Sequence, residues 1–434
     1  MKGPHWSWYL LIALVALAPA GIRLMTWPGF KRQAPEPQMV QAGQTLFVHE
    51  WKANDPLASG DGLGPVYNAA SCVACHNQGG PGGGGDLTHN VTTFVYQSDA
   101  EAAIRRNPRE GVVHAFAVNN FPRETLNHLH SDLPAVSQPR LDTVITLPGR
   151  TVSSNHCAVV RPVVQISQRN TPALFGANLI DSIPDRVIIA NEKAQRLRWG
   201  FAPKKSEDLP VGRALRLADG RVGHFGWKAQ SASLADFVQA ACANELGLGN
   251  PGQTQPRPLS KPYYQPVSYD LTLEQCDQIT AFVASLPRPV EKLEKSSLCS
   301  DALAGRELFK SIGCADCHTP NVGNVEGLYS DLLLHDMGQP LEGGGSYNDI
   351  PPLPNPNKPP SDPNDPPSPG EWRTPPLWGV ADSAPYLHDG RAPTLEKAIE
   401  LHGGQGTRAA RNFASLSKTE QGQVIVFLQT LRAP

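Results

Sequence analysis

The chain has 434 residues, with 38 Lys and Arg against 40 Asp and Glu for a net charge of −2, and a pI near 6.7. That balance carries no polyanion-binding signature, so no nucleic-acid partner is expected. The length allows two or three domains, and 39 glycines and 42 prolines beside 7% aromatic residues point to irregular connections and short helices, not a large sheet.

At the N-terminus Lys2 precedes an apolar run from Trp8 to Ala18, then the small-residue stretch Ala18-Pro19-Ala20-Gly21, the pattern of a secretory signal with its cleavage site. Ile22 to Trp27 is again mostly apolar apart from Arg23. Residues 1–27 therefore read as a signal peptide or an uncleaved membrane anchor, the continuous run being short for a full span. Either reading sends the body out of the cytoplasm, periplasmic or exported, with a membrane link only through this segment. Residues 28–41 read as a tether, after which Ala42-Gly43-Gln44-Thr45-Leu46-Phe47 opens a short helix.

Next comes Cys72-Val73-Ala74-Cys75-His76, and a second copy stands at Cys314-Ala315-Asp316-Cys317-His318. In CxxCH the two thiols add to the vinyl groups of one haem and the adjacent imidazole becomes the proximal iron ligand. A zinc knuckle or a redox dithiol needs no histidine directly after the second cysteine. A zinc site made of Cys72, Cys75, Cys314 and Cys317 would leave both histidines unexplained, so two covalently bound haem c groups are expected, with His76 and His318 on the irons. The glycine run Gly79 to Gly85 reads either as backbone lying against a porphyrin edge, where side chains would not fit, or as an ordinary flexible loop. Four cysteines remain: Cys157, Cys242, Cys276 and Cys299. An oxidising compartment favours disulfides among them. A Cys242–Cys276 bridge is the expected pair, and buried free thiols are the alternative.

A hidden duplication runs through the chain. Ala304-Gly305-Arg306-Glu307-Leu308-Phe309 repeats the first helix opening, and Thr171-Pro172-Ala173-Leu174-Phe175-Gly176 matches Thr374-Pro375-Pro376-Leu377-Trp378-Gly379. The stretch Leu271 to Leu286 aligns without a gap to Leu416 to Leu431. Each opens on a capping box, Thr272 with Gln275 and Ser417 with Glu420, and continues with helical apolar spacing. Four blocks in one order predict a mainly α chain of two cytochrome c-like modules related by duplication, residues 37–290 and 298–434. The first carries insertions without counterpart at 110–165 and 177–224. Both are expected to be irregular and β-rich, from Thr143-Val144-Ile145, the run Ala158 to Ile166 and a turn at Asp219-Gly220. In the second, Pro351 to Pro369 holds ten prolines and must be an extended surface loop.

The sixth coordination position decides what each haem does: a strong protein ligand makes an electron-transfer centre, an open face admits peroxide. The stretch from Ser233 matches that from Thr394, and where the second copy ends on His402 the first offers Glu245. His89, thirteen residues after His76, is a further candidate ligand or a loop histidine, the loop being the simpler reading. His335 and Met337 compete with His402 at the second haem, and His402 has the better positional support. His388, the repeat partner of Trp227, is expected to be a structural residue near the second haem.

With the motifs Arg169-Asn170-Thr171-Pro172-Ala173-Leu174-Phe175-Gly176, Phe225-Gly226-Trp227-Lys228-Ala229, Arg373-Thr374-Pro375-Pro376-Leu377 and Ala384-Pro385-Tyr386-Leu387-His388-Asp389-Gly390, the chain resembles the di-haem cytochrome c peroxidase superfamily. It is most similar to the di-haem oxidoreductase, or thiol-oxidoreductase-like, branch, across both modules. The resemblance implies a peroxidatic N-terminal haem and a C-terminal haem that relays electrons from a small redox protein, with peroxide or another small oxidisable substrate. It implies Trp227 between the haems and Glu245 as the acid–base glutamate over the first. It puts His402 where many relatives have a distal Met and the methylamine-utilisation enzyme a Tyr. Phe237 stands where typical peroxidases have a glutamine. An interhaem calcium ion would use backbone oxygens near Ser383 and Pro385, though no matching asparagine is evident in the first module. The expected function is thus a peroxidase-like di-haem oxidoreductase. Its competitors are a non-catalytic di-haem electron-transfer cytochrome and a docking domain in which haem is structural.

Overall fold

Small residues at two equivalent places let pairs of helices meet backbone to backbone, and the rest of the fold is arranged around those contacts. The computed structural model describes residues 35–97, 109–136, 143–147, 150–152, 158–160, 163–200, 208–292, 298–345 and 364–434. The N-terminal apolar segment, Cys157 and residues 351–363 of the proline-rich stretch lie outside the described residues. Residues 35–434 form one compact unit. Its helices are α1 (Pro37–Val48), α2 (Cys72–Cys75), α3 (Ala177–Asp181), α4 (Asp185–Trp199), α5 (Leu234–Leu246), α6 (Leu273–Ser285), α7 (Leu298–Ser311), α8 (Leu395–Glu400), α9 (Thr407–Ser415) and α10 (Lys418–Gln429). Helices carry most of the regular structure. No helix among the described residues is long and apolar enough to cross a membrane.

Helix α1 packs on α6, and α7 packs on α10. A methyl group on Gly43 would collide with the Gln278 carbonyl, and one on Gly305 with the Gln423 carbonyl, so glycine is what permits the close approach at both crossings. One turn further on, Phe47 meets Phe282 at 5.0 Å between ring centroids and Phe309 meets Phe427 at 5.4 Å. Both closing helices start on the expected capping boxes, Thr272 with Gln275 and Ser417 with Glu420, which satisfy orphan N–H groups at each N-terminus. Their apolar faces, Ile279, Phe282 and Val283 in one and Val424, Phe427 and Leu428 in the other, are buried.

A second correspondence links the two halves. The bridges Phe225 to Ser231 and Tyr386 to Ala392 close two alike turns, with Gly226 and Leu387 both at positive φ, 82° and 72°. Trp227 and His388 occupy the same place in these turns. The Arg373 N–H donates to the Trp227 carbonyl at 2.9 Å, and the Asn170 N–H donates to the His388 carbonyl at 2.7 Å. Each half therefore lends its turn carbonyl to the residue that precedes the other half's Thr-Pro pair.

The strands are β1 (Val66–Tyr67), β2 (Val91–Gln97), β3 (Arg109–Val113), β4 (Phe116–Ala117), β5 (Thr143–Thr146), β6 (Arg150–Val152), β7 (Ala158–Val160), β8 (Val163–Arg169), β9 (Val290–Glu291), β10 (Leu334–Asp336), β11 (Glu371–Arg373) and β12 (Leu431–Arg432). The first insertion is strand-rich and joins a four-stranded antiparallel sheet in the order β3-β2-β8-β5, with Phe94 opposite Ile166 over a core of its own that includes Val113, Leu126 and Val164. The second insertion departs from the β-rich expectation. Its turn at Asp219-Gly220 forms, with Leu217 N–H donating to the Arg221 carbonyl at 2.8 Å, but most of its regular structure is helix α4. Pro184 precedes that helix and Asp185 opens it, after which Ala, Glu, Lys, Gln, Arg and Leu favour helix. The expected Cys242–Cys276 bridge is also corrected: both are free thiols buried in the main apolar core, where a thiol packs as a small apolar group.

Candidate functional site

Local backbone geometry presents both CxxCH histidines in the same way. Ser71 caps α2 by accepting the Ala74 N–H at 3.2 Å, and the His76 N–H closes on the Cys72 carbonyl at 3.0 Å. In the second copy Gly313, at φ 100°, admits a tight 3-10 turn, Cys314–Asp316, and the His318 N–H reaches the Cys314 carbonyl at 2.9 Å. His76 Nδ1 then donates to the Gly83 carbonyl at 3.2 Å and His318 Nδ1 to the Tyr329 carbonyl at 3.0 Å. Such a bond fixes the tautomer and leaves Nε2 for a metal. Burial pushes both imidazoles down to about 4, so at neutral pH each is in the unprotonated form that ligates iron. The glycine run accordingly serves the site. Gly82 to Gly85 are buried, and a side chain at Gly83, whose carbonyl orients His76, would strike the Gln78 carbonyl.

One continuous, mostly apolar cavity is lined by all four motif cysteines and by His76, His318, His402, Glu245 and Trp227. His402 follows the last turn of α8. Its Nδ1 donates to the Ala398 carbonyl at 2.7 Å, and its ring lies 6.5 Å from that of His318, tilted by 60°. With both Nδ1 atoms committed to backbone carbonyls, the Nε2 atoms of His318 and His402 are the ring nitrogens left for a metal. His335 is committed elsewhere, with Nε2 on Asp331 at 2.8 Å and Nδ1 beside Gln405 at 2.7 Å. Met337 lines the same cavity. The thiols, the oriented neutral imidazoles and the apolar walls fit two attached haems.

The first site differs on its open side. Glu245 lies in the last turn of α5, where Asn68 Nδ2 donates to its Oε2 at 2.8 Å. Phe237 stacks on Phe225 at 6.1 Å. His89 is partly exposed, pairs with Asp86 at 3.1 Å and does not line the cavity. Trp227 lies along the cavity wall, its Nε1 donating to the Asn170 carbonyl at 3.0 Å. Ser383 and Pro385, named for calcium, also line the cavity, and Gln78 Nε2 donates to the Ala384 carbonyl between them at 2.8 Å.

Sequence reasoning missed part of this environment. His388 stacks flat on Trp372 with centroids 3.7 Å apart, and the Lys228 ammonium lies 3.6 Å from the same ring's centroid while donating to the Glu371 carbonyl at 2.7 Å. Trp372 directly precedes the Arg373-Thr374-Pro375 block, so the repeat alignment opposite Arg169 could have found it. Asn68, His114 and Glu124 carry no motif at all. Helix α4 braces the second motif as well, through Gln195 to the Asp316 carbonyl at 2.9 Å and Arg198 to Asp316 at 2.8 Å.

Residues 142–431 match the family described as "Di-haem oxidoreductase, putative peroxidase". The chain is similar to the cytochrome c551 peroxidase of Nitrosomonas europaea, 29% identical over 171 residues that make up 36% of this chain and 44% of that protein; it thus spans less than half of that relative's length. Among solved structures it is similar to the hydrazine synthase of Kuenenia stuttgartiensis, at a TM-score of 0.39 and 14% identity, covering 97% of this chain and 100% of the other. It is also similar to a MauG-like protein associated with microbial copper homeostasis, at 0.23 and 22%, covering 38% and 54%. Because the family match runs through well over half of the sequence and takes in Trp227, Glu245, the second CxxCH and His402, the chain belongs to the di-haem oxidoreductase family.

Proposed function

We propose that this chain is a peroxidase-like di-haem c-type oxidoreductase in which electrons from a small redox protein enter at the C-terminal haem and pass to a peroxide-reactive N-terminal haem. The observation that carries the proposal is the asymmetry between equivalent positions: His402 faces His318 with ring centroids 6.5 Å apart, whereas Glu245 occupies the matching end of α5 beside the first motif. Cys72, Cys75 and His76 would hold one haem, and Cys314, Cys317, His318 and His402 the other. When bound, the haems supply one-electron chemistry and, at the first site, a position for peroxide.

The protein's part is proton management and order. Reducing peroxide takes two electrons and two protons and yields two waters. The Glu245 carboxylate is poised to take the proton from the near oxygen and return it to the far oxygen as the O–O bond breaks, a role that typically contributes about 10²–10⁴-fold. Trp227 stands in the wall that both sites share and would bridge them. A calcium ion would take backbone oxygens near Ser383 and Pro385. The paired helices, turns and Thr-Pro segments support two modules, residues 37–290 and 298–434, descended from one by duplication. The N-terminal sequence supports a location outside the cytoplasm.

Glu245→Gln tests the reading, since it keeps size and removes the base. We expect both haem spectra unchanged and the peroxide reaction of the first haem slowed at least roughly tenfold. An unchanged rate, or a first haem that stays low-spin and unreactive after half-reduction, would give the protein to the electron-carrier class.

A further inference from the structure

The first insertion has no counterpart in the second module, yet it reaches the one carboxylate on which the proposed chemistry depends. Strand β4 pairs with β1 in the register Val66 to Ala117 and Tyr67 to Phe116, and Tyr67 stacks on Phe116 at 5.6 Å. The pairing sets Asn68, the residue after β1, opposite Ala115. Asn68 is held from both sides: its Oδ1 accepts the Ala115 N–H at 3.0 Å, and its Nδ2 donates to Glu245 Oε2 at 2.8 Å. The Asn68 N–H also donates to the Glu245 carbonyl at 2.7 Å, tying the end of α5 to the same loop.

Beside it lies a buried ion pair. His114 Nδ1 faces Glu124 Oε2 at 2.8 Å and its Nε2 faces the Asn244 carbonyl at 3.0 Å. Both partners are acceptors, so both ring nitrogens carry hydrogen and the imidazole is a cation. Glu124 accepts in addition from the N–H groups of His114 and Leu259, each at 2.7 Å, which is the environment of an ionised carboxylate. The pair is almost wholly buried, at 3% and 0% side-chain exposure. Its hydrogen bond to Asn244 grips α5 one residue before Glu245, and its cation lies close enough to interact with the Glu245 charge.

We propose that the insertion is a brace behind the end of α5 at the first haem site, and that Asn68 and, from the insertion, His114 and Glu124 are positioning residues that hold Glu245 in place and in its ionised form. The inference rests on the peroxidase reading for its chemical consequence but not for its geometry. Nothing equivalent is needed at the second site, where His402 is braced within its own turn by the Ala398 carbonyl. The titratable groups that interact with the Glu245 charge are His114 from the insertion and Cys75 from the attachment helix. Once in a thioether, Cys75 carries no charge.

The test uses the haem-loaded protein. Infrared difference titration identifies the Glu245 carboxyl band as the one lost in Glu245→Gln, and follows its protonation in wild type, in Asn68→Ala and in the double variant His114→Gln with Glu124→Gln. The double variant removes both buried charges together and retains hydrogen-bonding groups, so it stands if either single charge deletion fails to fold. A hydrogen bond lost from the ionised form should raise the Glu245 midpoint by about one pH unit or more in Asn68→Ala. The double variant should raise it by less, by the margin in which the lost cation outweighs the lost anion, and the acid limb of the peroxide rate should move with it in both. An unmoved midpoint in both variants overturns the inference. If instead the midpoints move while Glu245→Gln leaves the peroxide rate untouched, the positioning role stands and the peroxidase reading falls.

Discussion

At the second site two potential iron ligands remain on the cavity wall once His335 is set aside on Asp331, His402 and Met337. Only the histidine has its far nitrogen anchored, by the Ala398 carbonyl at 2.7 Å, and its ring set 6.5 Å from that of His318. His402→Gly should therefore turn the second haem from low-spin to high-spin in the EPR spectrum and leave the first unchanged, while Met337→Ala should leave both as they were. The reverse pattern would make Met337 the ligand and lift the expected potential. His402 was within reach of the sequence because the repeat aligned it with a definite position. Asn68 was not, since it meets Glu245 across 177 residues, and His114 meets Asn244 across 130. Neither pair leaves a pattern in the linear chain, because a hydrogen bond between remote loops constrains geometry and not spacing.

At the scale of elements, the glycines at the two helix crossings are the sharpest constraint. Gly43→Ala and Gly305→Ala each push a methyl group into a carbonyl of the facing helix. Overpacking of this kind costs about 1–3 kcal/mol, which denaturant unfolding of the haem-loaded protein would measure. Gly422, with open space around it, is the control, and its change to Ala should be neutral or stabilising. The same helices were the most legible part of the fold, because capping boxes and apolar periodicity are local signals that tertiary packing only reinforces. The two CxxCH turns were legible for a different reason, since the motif itself is a fixed spacing of two cysteines and a histidine. Helix α4 was missed although Asp185 and a run of strong helix formers announce it. The turn signal at Asp219-Gly220 and the strands of the other insertion drew the whole region toward β. The four-stranded sheet was foreseen only in pieces, since β2 pairs with β8 across most of the insertion and long-range pairing is invisible to a window of residues.

For the molecule as a whole, charge burial makes two predictions. Arg213, ahead of α5, joins Glu371 of β11 through two bonds, at 2.7 and 2.9 Å, with each side chain only 9% exposed. Arg213→Met strands a buried carboxylate and should cost about 3–5 kcal/mol by denaturant unfolding. The second concerns acid. His76 and His318 are held near 4 in the fold, against an ordinary 6.5, by burial. The unfolded chain therefore binds more protons between those values, and the stability they contribute is full above pH 6.5 and lost as pH falls toward 4. Iron on the same nitrogens acts in the same direction. Asp270, raised to about 6 chiefly by burial, works the other way, as do His114 and His335, which are raised against burial by their charged neighbours, while His224 and His402 are lowered by burial as His76 and His318 are, four groups against three. The denaturation midpoint should consequently drop from pH 7 to pH 5. A flat profile would mean that these imidazoles are not held neutral by the fold.

The exchanged carbonyls, Trp227 to Arg373 and His388 to Asn170, have a consequence for how the chain can be divided. Each half completes the other's backbone as two subunits of a symmetric dimer would, except that here both subunits belong to one polypeptide. Neither half should be self-sufficient, since each would leave an inward amide and a turn carbonyl without the mate that satisfies them. Cut between residues 292 and 298 and expressed separately, the fragments should be poorly soluble and fail to retain haem. Produced together, they should find one another and restore a functional pair without any covalent link between them.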